Sequence, residues 1–467
     1  MRIRSRWIPR LSEREGPPSD RLANALADDI LEGRLDAGDR LPPHRDLADA
    51  LGIGVGTVTK AYGMLERRGL VRSVKGSATF VALMHNRKGP QIDLSRNSPP
   101  AVMTERVLAR TLNAVAKRLD AGLFNDYPPP AGHDEHRRLL AHWFSRTGMD
   151  ADPRHLLVTG GAHHAVSLAM SVACGPGGAL FTDAQTYPGV LTLADQQRVR
   201  VTGVDVDDEG MIPQALDQAL SASVPGSCAV YLMPTMQNPT TVTMGRARRE
   251  AIVAVCRTHD VAIIEDDVYT LSANDAYPPL AMLAPERTFY ANSLSKTLNP
   301  TLRVGGLVAP AARYTKTEAA LHATTAIVSP LSLAIVEQWL LDGTAETVSE
   351  SIQDESRRRT ALASALLGDR LLTPTPLGYH VWMPLTKADA HHVEALAASA
   401  GIIVTPVSAT DAKPNDTAGG IRLCLGAPST ADLRAALGTL ARLLDEHSIR
   451  RPDDQRRVAD AVRKRFR

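Results

Sequence analysis

The 467-residue chain has only four cysteines, Cys174, Cys228, Cys256 and Cys424, far apart and with no C-x-x-C pair. That excludes a disulfide framework and a cysteine-built metal site, and predicts reduced, mostly buried thiols in a cytoplasmic protein. An excess of one charge is equally lacking. Lys+Arg 53 against Asp+Glu 51 leaves a net charge of +2 with His neutral, so any nucleic-acid-binding surface must be local. No apolar run approaches the length that crosses a bilayer, which excludes a membrane-spanning helix. Arg2, Arg4, Arg6 and Arg10 precede no apolar core, so no signal peptide is expected. What is there is 44% hydrophobic and 22% charged, a globular balance, at a length that calls for two or more folding units.

Leu22, Leu26, Ile30 and Leu31 recur at helical spacing and Gly33 ends the run, predicting a first helix. Gly38, Pro42 and Pro43 force a turn before a short second helix through Leu47 and Leu51. Gly52-Ile-Gly-Val-Gly56 reads as a compact connector. Val58, Ala61, Tyr62 and Leu65 then mark one face of a third helix that stops at Gly69. Leu70–Val74, Lys75-Gly76 and Ser77–Val81 read as a two-stranded wing. Three short helices and a hairpin make a winged helix-turn-helix over residues 1–82. Its third helix enters the major groove of double-stranded DNA. The candidate DNA contacts are Gly56, Thr57, Thr59 and Lys60, with Arg45 from the helix before and Lys75 and Gly76 from the wing. Singly, Arg45 and Lys60 read as solvated charges and Thr57 as a helix cap; the set is more specific than its members.

Residues 83–91 form a linker of polar and turn residues, and the lack of periodicity continues to about 98. From 92 to 446 apolar strand-like runs alternate with helical patterns: His155–Thr159, Ala179–Thr182, Cys228–Leu232, Val261–Ile264 and Arg303–Val308. Such alternation predicts a mostly parallel sheet covered by helices, with a site at the carboxyl ends of its strands. Residues 447–467 form a polar, Arg-rich tail.

Phe289–Gly306 carries one lysine, Lys296, at the end of an apolar run, with Ser293 and Ser295 before it and Arg303 after. A lysine amine emerging from a strand can form a Schiff base with an aldehyde, and nearby hydroxyls and a guanidinium can hold an anion on the same ligand. Gly161, Ala162 and His163 open an apolar helix after a strand, where backbone N–H groups can meet a phosphate. Tyr187 precedes Pro188-Gly189, and its ring is placed to stack on a flat heterocycle. Asn238-Pro239 stops a strand and aims an amide. Asp266 ends the next strand, where a buried carboxylate can keep a ring nitrogen protonated, and Tyr269 follows. Taken alone, Asp266 reads equally as the N-cap of a following helix, and Tyr269 and Tyr187 as packing.

Over Ser19 to Val81 the chain resembles the GntR family, through Gly33–Pro42, Arg45-Asp-Leu-Ala, Thr57–Tyr62 and Gly69-Leu-Val. Gly54-Val55-Gly56 stands where that family's pattern usually has Ser-Arg-Thr. Asn238, Asp266, Tyr269, Ser293, Ser295, Lys296 and Arg303, in that order, resemble a fold-type I pyridoxal-phosphate aminotransferase domain. The resemblance implies an α/β fold: a large domain on a mostly parallel seven-stranded sheet, and a small α+β C-terminal subdomain. It further implies pyridoxal 5'-phosphate as cofactor, Lys296 as the Schiff-base lysine and Asp266 on the pyridine nitrogen. Asn238 and Tyr269 would then bond the ring hydroxyl and Tyr187 stack on the ring, with Gly161, Ala162, His163, Ser293, Ser295 and Arg303 on the phosphate. Tyr127 matches a tyrosine that reaches the neighbouring subunit's phosphate, implying a homodimer. Arg422, in Gly420-Ile-Arg422, matches the arginine that clamps a substrate carboxylate. Ala162, His163 and Thr241 depart from the usual residues.

The whole arrangement resembles the MocR regulators. It implies a cytoplasmic, DNA-binding transcriptional regulator in which an amino acid or amine displaces Lys296, through an external aldimine, and shifts the DNA-binding state. The alternative is a working aminotransferase with an N-terminal appendage; a third reading is a DNA binder whose second domain holds no cofactor.

Overall fold

Apolar residues three and four apart between Pro18 and Leu31 form helix α1 in the computed structural model, and Leu22, Leu26 and Ile30 are buried on its inner face. The structure describes all residues except 1–6, 8–9, 13–15, 32–33, 36–38, 68–70, 75–77, 82–90, 120–121, 126, 224–226, 271–272, 325–327, 373–377 and 450–467. The expected helix stop at Gly33, the wing tip Lys75-Gly76, nearly all of the 83–91 linker and nearly all of the 447–467 tail therefore lie outside the described residues. The chain divides into two compact units between Gln91 and Ile92.

In the first unit α2, His44–Leu51, and α3, Val55–Arg67, follow α1. The third helix starts earlier than the sequence pattern suggested. Gly54 O accepts the N–H of Thr57 at 2.9 Å and of Val58 at 3.3 Å, so Val55 and Gly56 belong to its first turn. The connector shrinks to Gly52–Gly54, with Gly52 left-handed at φ 64 to cap α2. Strands β1, Val71–Val74, and β2, Ala78–Val81, pair antiparallel as the wing. Leu47, Val58, Ala61, Tyr62 and Leu65 close one core with α1, and Tyr62 donates its O–H to Pro42 O at 2.8 Å.

The second unit begins with β3, Ile92–Asp93, and then builds its main sheet from β4, Leu156–Thr159, β5, Ala179–Asp183, and β6, Arg200–Val204. A short hairpin of β7, Val206–Asp207, and β8, Gly210–Met211, intervenes. The sheet is completed by β9, Cys228–Leu232, β10, Ala262–Asp266, β11, Thr288–Ser293, and β12, Gly305–Val308. These seven strands run in the order β4-β12-β11-β10-β9-β5-β6. All are parallel except β12, which is antiparallel to both β11 and β4. Nearly every residue of the central strands is buried, because helices cover both faces and leave no solvent side for alternation. The reversed β12 brings its first residues to the edge where the other strands end, which places Arg303 beside Ser293 although their strands run in opposite directions.

A smaller C-terminal part pairs β13, His380–Thr386, with β15, Ala418–Cys424, antiparallel. Helices Thr344–Leu367, Lys387–Ser399 and Thr430–Glu446 pack around it. Strand β14, Ile402–Ile403, pairs parallel with β3, and Leu94 is wholly buried in this core beside Val381, Ile421 and Leu437. The first residues of the second unit thus fold into the core of its C-terminal part. All four cysteines are free; Cys174, Cys256 and Cys424 are buried.

A Cβ on Gly305 would lie 2.7 Å from Asn292 O and 2.9 Å from the Cα of Gly161, both backbone atoms that cannot swing aside. Gly305→Ala is expected to cost about 1–3 kcal/mol of stability, measured as a fall in the urea midpoint. An unchanged midpoint would contradict this close packing.

Candidate functional site

The carboxyl edge of the sheet collects most of the residues singled out from the sequence. Asp266 closes β10 and Ser293 closes β11, with Ser295 and Lys296 in the turn that follows. Gly161, at φ 90, is the N-cap of helix Ala162–Ala173, whose first N–H groups have no carbonyl within the helix to bond. A Cβ on Gly161 would meet the Arg303 guanidinium at 2.9 Å, and Arg303 Nη2 donates to Gly160 O at 2.9 Å. Gly305 fits between Gly161 and Ser293. The helix start, Ser293, Ser295 and Arg303 therefore surround one small volume bordered by backbone donors, hydroxyls and a guanidinium, a set suited to a phosphate dianion. Ser295 Oγ is buried with no hydrogen-bond partner among the described residues.

Lys296 is half-buried, and its amine donates to the backbone O of Asn97. Burial pushes that amine down from 10.5 to about 8, partly offset by the charge of Asp266. Asp266 accepts from Tyr231 Oη at 2.9 Å through Oδ2, whereas Oδ1 is buried without a partner among the described residues. No helix follows Asp266, so the N-cap alternative fails; residues 267–270 turn away from the strand. Tyr269 is buried, with its ring centroid 5.9 Å from Lys296 Nζ, and its hydroxyl accepts from Asn97 Nδ2 at 2.6 Å. Tyr187 lies at the start of helix Pro188–Gln196, with His163 Nδ1 3.4 Å from its hydroxyl. Asn238 Oδ1 accepts from Arg422 Nη1 at 2.7 Å. Arg422, 5% exposed, bonds only neutral oxygens among the described residues, those of Asn238, Thr405 and Ser95, which leaves its charge available to an anion.

Tyr127 is the member that the fold does not bring in: it is 79% exposed. Several contributors went unnoticed in the sequence. Tyr231 is one, a phenol in an otherwise apolar strand. Asn97 and Ser95 lie in a stretch with no periodic pattern, and Thr405 bonds the Arg422 guanidinium at 2.9 Å. His380 packs on the Tyr269 ring at 5.4 Å, and burial pushes it down to about 3, so it is neutral. In the sequence it is marked only as a polar residue at the head of an apolar strand, His380–Thr386.

On the first unit, Arg45, Gly56, Thr59 and Lys60 are exposed and Thr57 is half-buried. Thr59 Oγ1 lies 3.1 Å from His44 Nδ1, joining the start of α2 to the exposed face of α3. Among the described residues no group of His, Cys, Asp and Glu is placed to hold a metal ion, and no helix is long and apolar enough to cross a membrane.

Burial holds the Asp266 carboxyl at about 7 against an ordinary 3.8. Between these values the folded chain keeps a proton that the unfolded chain has lost, so stability drains away as pH rises, and the loss is complete above the folded value. Asn keeps an acceptor for Tyr231 without the charge. Asp266→Asn is therefore expected to stabilise the free protein by an amount that grows between pH 3.8 and about 7 and then levels off, read from urea midpoints of both proteins across pH. A difference that does not vary with pH would contradict the burial of an ionisable Asp266.

The profile of the family described as "Aminotransferase class I and II" matches residues 89–440, and that of "Bacterial regulatory proteins, gntR family" matches residues 18–81. The uncharacterized HTH-type transcriptional regulator YdeF of Bacillus subtilis is 28% identical over 452 residues, covering 94% of this chain and 97% of its own. The HTH-type pyridoxine biosynthesis transcriptional regulator PdxR of Corynebacterium glutamicum is 25% identical, covering 81% and 85%. Among solved structures, the α-aminoadipate aminotransferase LysN of Thermus thermophilus, complexed with N-(5'-phosphopyridoxyl)-L-leucine, superposes with a TM-score of 0.67. It has 23% identity and covers 76% of this chain and 92% of LysN, which shows a shared fold. The chain belongs to the aminotransferase class I and II family and, with a gntR-family domain in front of that domain, to the MocR-type transcriptional regulators.

Proposed function

We propose that this regulator binds operator DNA through α2 and α3, holds pyridoxal 5'-phosphate on Lys296, and changes its DNA binding when an amino acid or related amine enters the site. The observation that carries the reading is the buried Oδ1 of Asp266, unpartnered among the described residues, in one site with the amine of Lys296, which desolvation pushes down to about 8. A lone carboxylate oxygen without a donor is costly in a low dielectric. A protonated ring nitrogen at Oδ1 would supply both the missing hydrogen bond and the opposite charge, and would draw the Asp266 carboxyl back to its ionised form.

The other residues fit the same group. The N–H groups at the start of helix Ala162–Ala173, the hydroxyls of Ser293 and Ser295 and the guanidinium of Arg303 would hold the phosphate, with Gly161, Ala162 and His163 as its floor. Tyr269 and Asn238 would bond the ring hydroxyl, and Tyr187 would cover a ring face. When bound, the coenzyme supplies an aldehyde that condenses with primary amines and a cationic ring that withdraws electrons. Lys296, with an amine near 8, holds enough neutral form at physiological pH to act as the tethering nucleophile. Arg422 would fix the effector's carboxylate and thereby select amino acids over plain amines. Exposed Tyr127 serves a second copy of the chain in this reading, reaching the phosphate across a homodimer. A cytoplasmic location follows from access to DNA.

Reconstitution with pyridoxal phosphate is expected to produce a visible absorption band that Lys296→Ala abolishes, and borohydride should fix the label on Lys296. A colourless product or a label elsewhere would end the proposal. Footprinting upstream of the protein's own gene, with and without pyridoxal phosphate and each amino acid, tests the regulatory part. No protection in any condition, together with fast keto-acid production, would favour the aminotransferase reading instead.

Lys60→Ala is expected to weaken DNA binding about equally on every sequence. It should also lower the slope of log affinity against log salt by about one, measured by fluorescence anisotropy over a salt series. A sequence-selective loss with an unchanged slope would place Lys60 on a base edge instead.

A further inference from the structure

The stretch Ser95-Arg96-Asn97 ties the start of the second unit to four groups of the proposed amine site. Asn97 O accepts from the Lys296 amine. Asn97 Nδ2 lies 2.6 Å from the Tyr269 hydroxyl and 3.3 Å from His380 Nδ1. Ser95 O accepts from Arg422 Nη2 at 2.9 Å. The stretch leaves β3 through Leu94, whose N–H donates to Ile403 O at 2.7 Å and whose O accepts from Cys424 N at 2.8 Å. At its other end Ser98 O passes so close to Gly426 that a Cβ there would be 2.0 Å away.

The grip of Arg422 makes this arrangement ligand-sensitive. Thr405 Oγ1 is shared by Nε at 3.1 Å and Nη2 at 2.9 Å, so it occupies the side fork of the planar guanidinium. The second Nη2 hydrogen then points to the end of the fork, and Ser95 O takes it. A carboxylate held end-on by Nη1 and Nη2 needs that same hydrogen, so the carboxylate and Ser95 O compete for one donor.

We infer that Ser95-Arg96-Asn97 is where ligand occupancy is read: a carboxylate on Arg422 displaces Ser95 O, and Asn97 positions Tyr269 and receives the Lys296 amine when it is free. This rests on the proposed amine site. Loss of the Arg422 bond leaves Ser95 O only the longer contacts from Thr405 Oγ1 and Cys424 Sγ, both 3.4 Å, and so loosens the stretch next to β3, which in chain order is the first element after the DNA-binding unit. The signal therefore starts at a backbone oxygen, not at a side chain that a family pattern would single out.

The test compares two compounds on the full chain, pyridoxamine 5'-phosphate, which has no carboxylate, and N-(5'-phosphopyridoxyl)-L-leucine, which has one. Binding of each is verified by titration, and amide hydrogen exchange is followed over Ile92–Ser98. The leucine conjugate is expected to raise exchange there about fivefold or more over pyridoxamine phosphate, the effect of freeing one hydrogen bond. In Arg422→Leu, whose fold is verified by its binding of pyridoxamine phosphate, the two compounds should give equal exchange. If both bind the wild type and exchange over Ile92–Ser98 is the same, the inference is wrong and the amine site stands. If neither binds, the amine site itself is wrong, and the inference falls with it. A conjugate effect that persists in Arg422→Leu would overturn the route through Ser95. Should that variant not fold, the wild-type comparison decides alone.

Discussion

A carboxyl and an amine, buried Asp266 and half-buried Lys296, lie at one edge of a sheet, and among the described residues neither is neutralised by a direct ion pair with the other. Desolvation raises the first to about 7 and lowers the second to about 8. Each is thus poised near neutrality, and each gains from a ligand that brings the missing partner. The surrounding order serves to keep water out of this edge. Strands β10 and β11 are buried along nearly their whole length, and the Tyr269 ring meets that of Tyr379, whose hydroxyl donates to Lys296 O at 3.4 Å.

The reversal of β12 gives that edge its second character. In an all-parallel sheet the residues preceding a strand would lie at the far end, away from the site. Because β12 is antiparallel to both neighbours, Arg303 arrives beside the start of helix Ala162–Ala173. Glycines at 161 and 305 let the backbones close around it. The positive end of a helix and a guanidinium are concentrated in one small volume.

Much of this was legible in the chain itself. The strand-end residues from Asn238 to Arg303 stand in their structural order, and the α1–α3 and wing pattern was readable from periodicity and glycine placement. The early start of α3 was not, because Gly54 and Gly56 look alike in sequence and only the acceptor role of Gly54 O sets the boundary. Tyr231 looks in the sequence like any other strand residue, since alternation is silent when both faces of a strand are buried. Ser95 and Asn97 fell in a stretch without periodicity. Two of their bonds depend on backbone oxygens, which every residue type carries alike, and the Asn97 amide finds its partners only across the fold.

The sequence by itself determined which chemical groups are present and in what order: a DNA-binding module, then strand-ended amide, carboxyl, phenol, hydroxyls, lysine and arginine. Those follow from residue identity and short-range spacing. The tertiary structure alone decided which of them meet: that Oδ1 of Asp266 is left without a donor, that Tyr127 faces outward, and that a segment near residue 95 reaches an arginine at 422. Contacts across more than three hundred residues depend on how two layers close over each other. Burial, which sets the cost of every unpaired charge, exists only once they have closed.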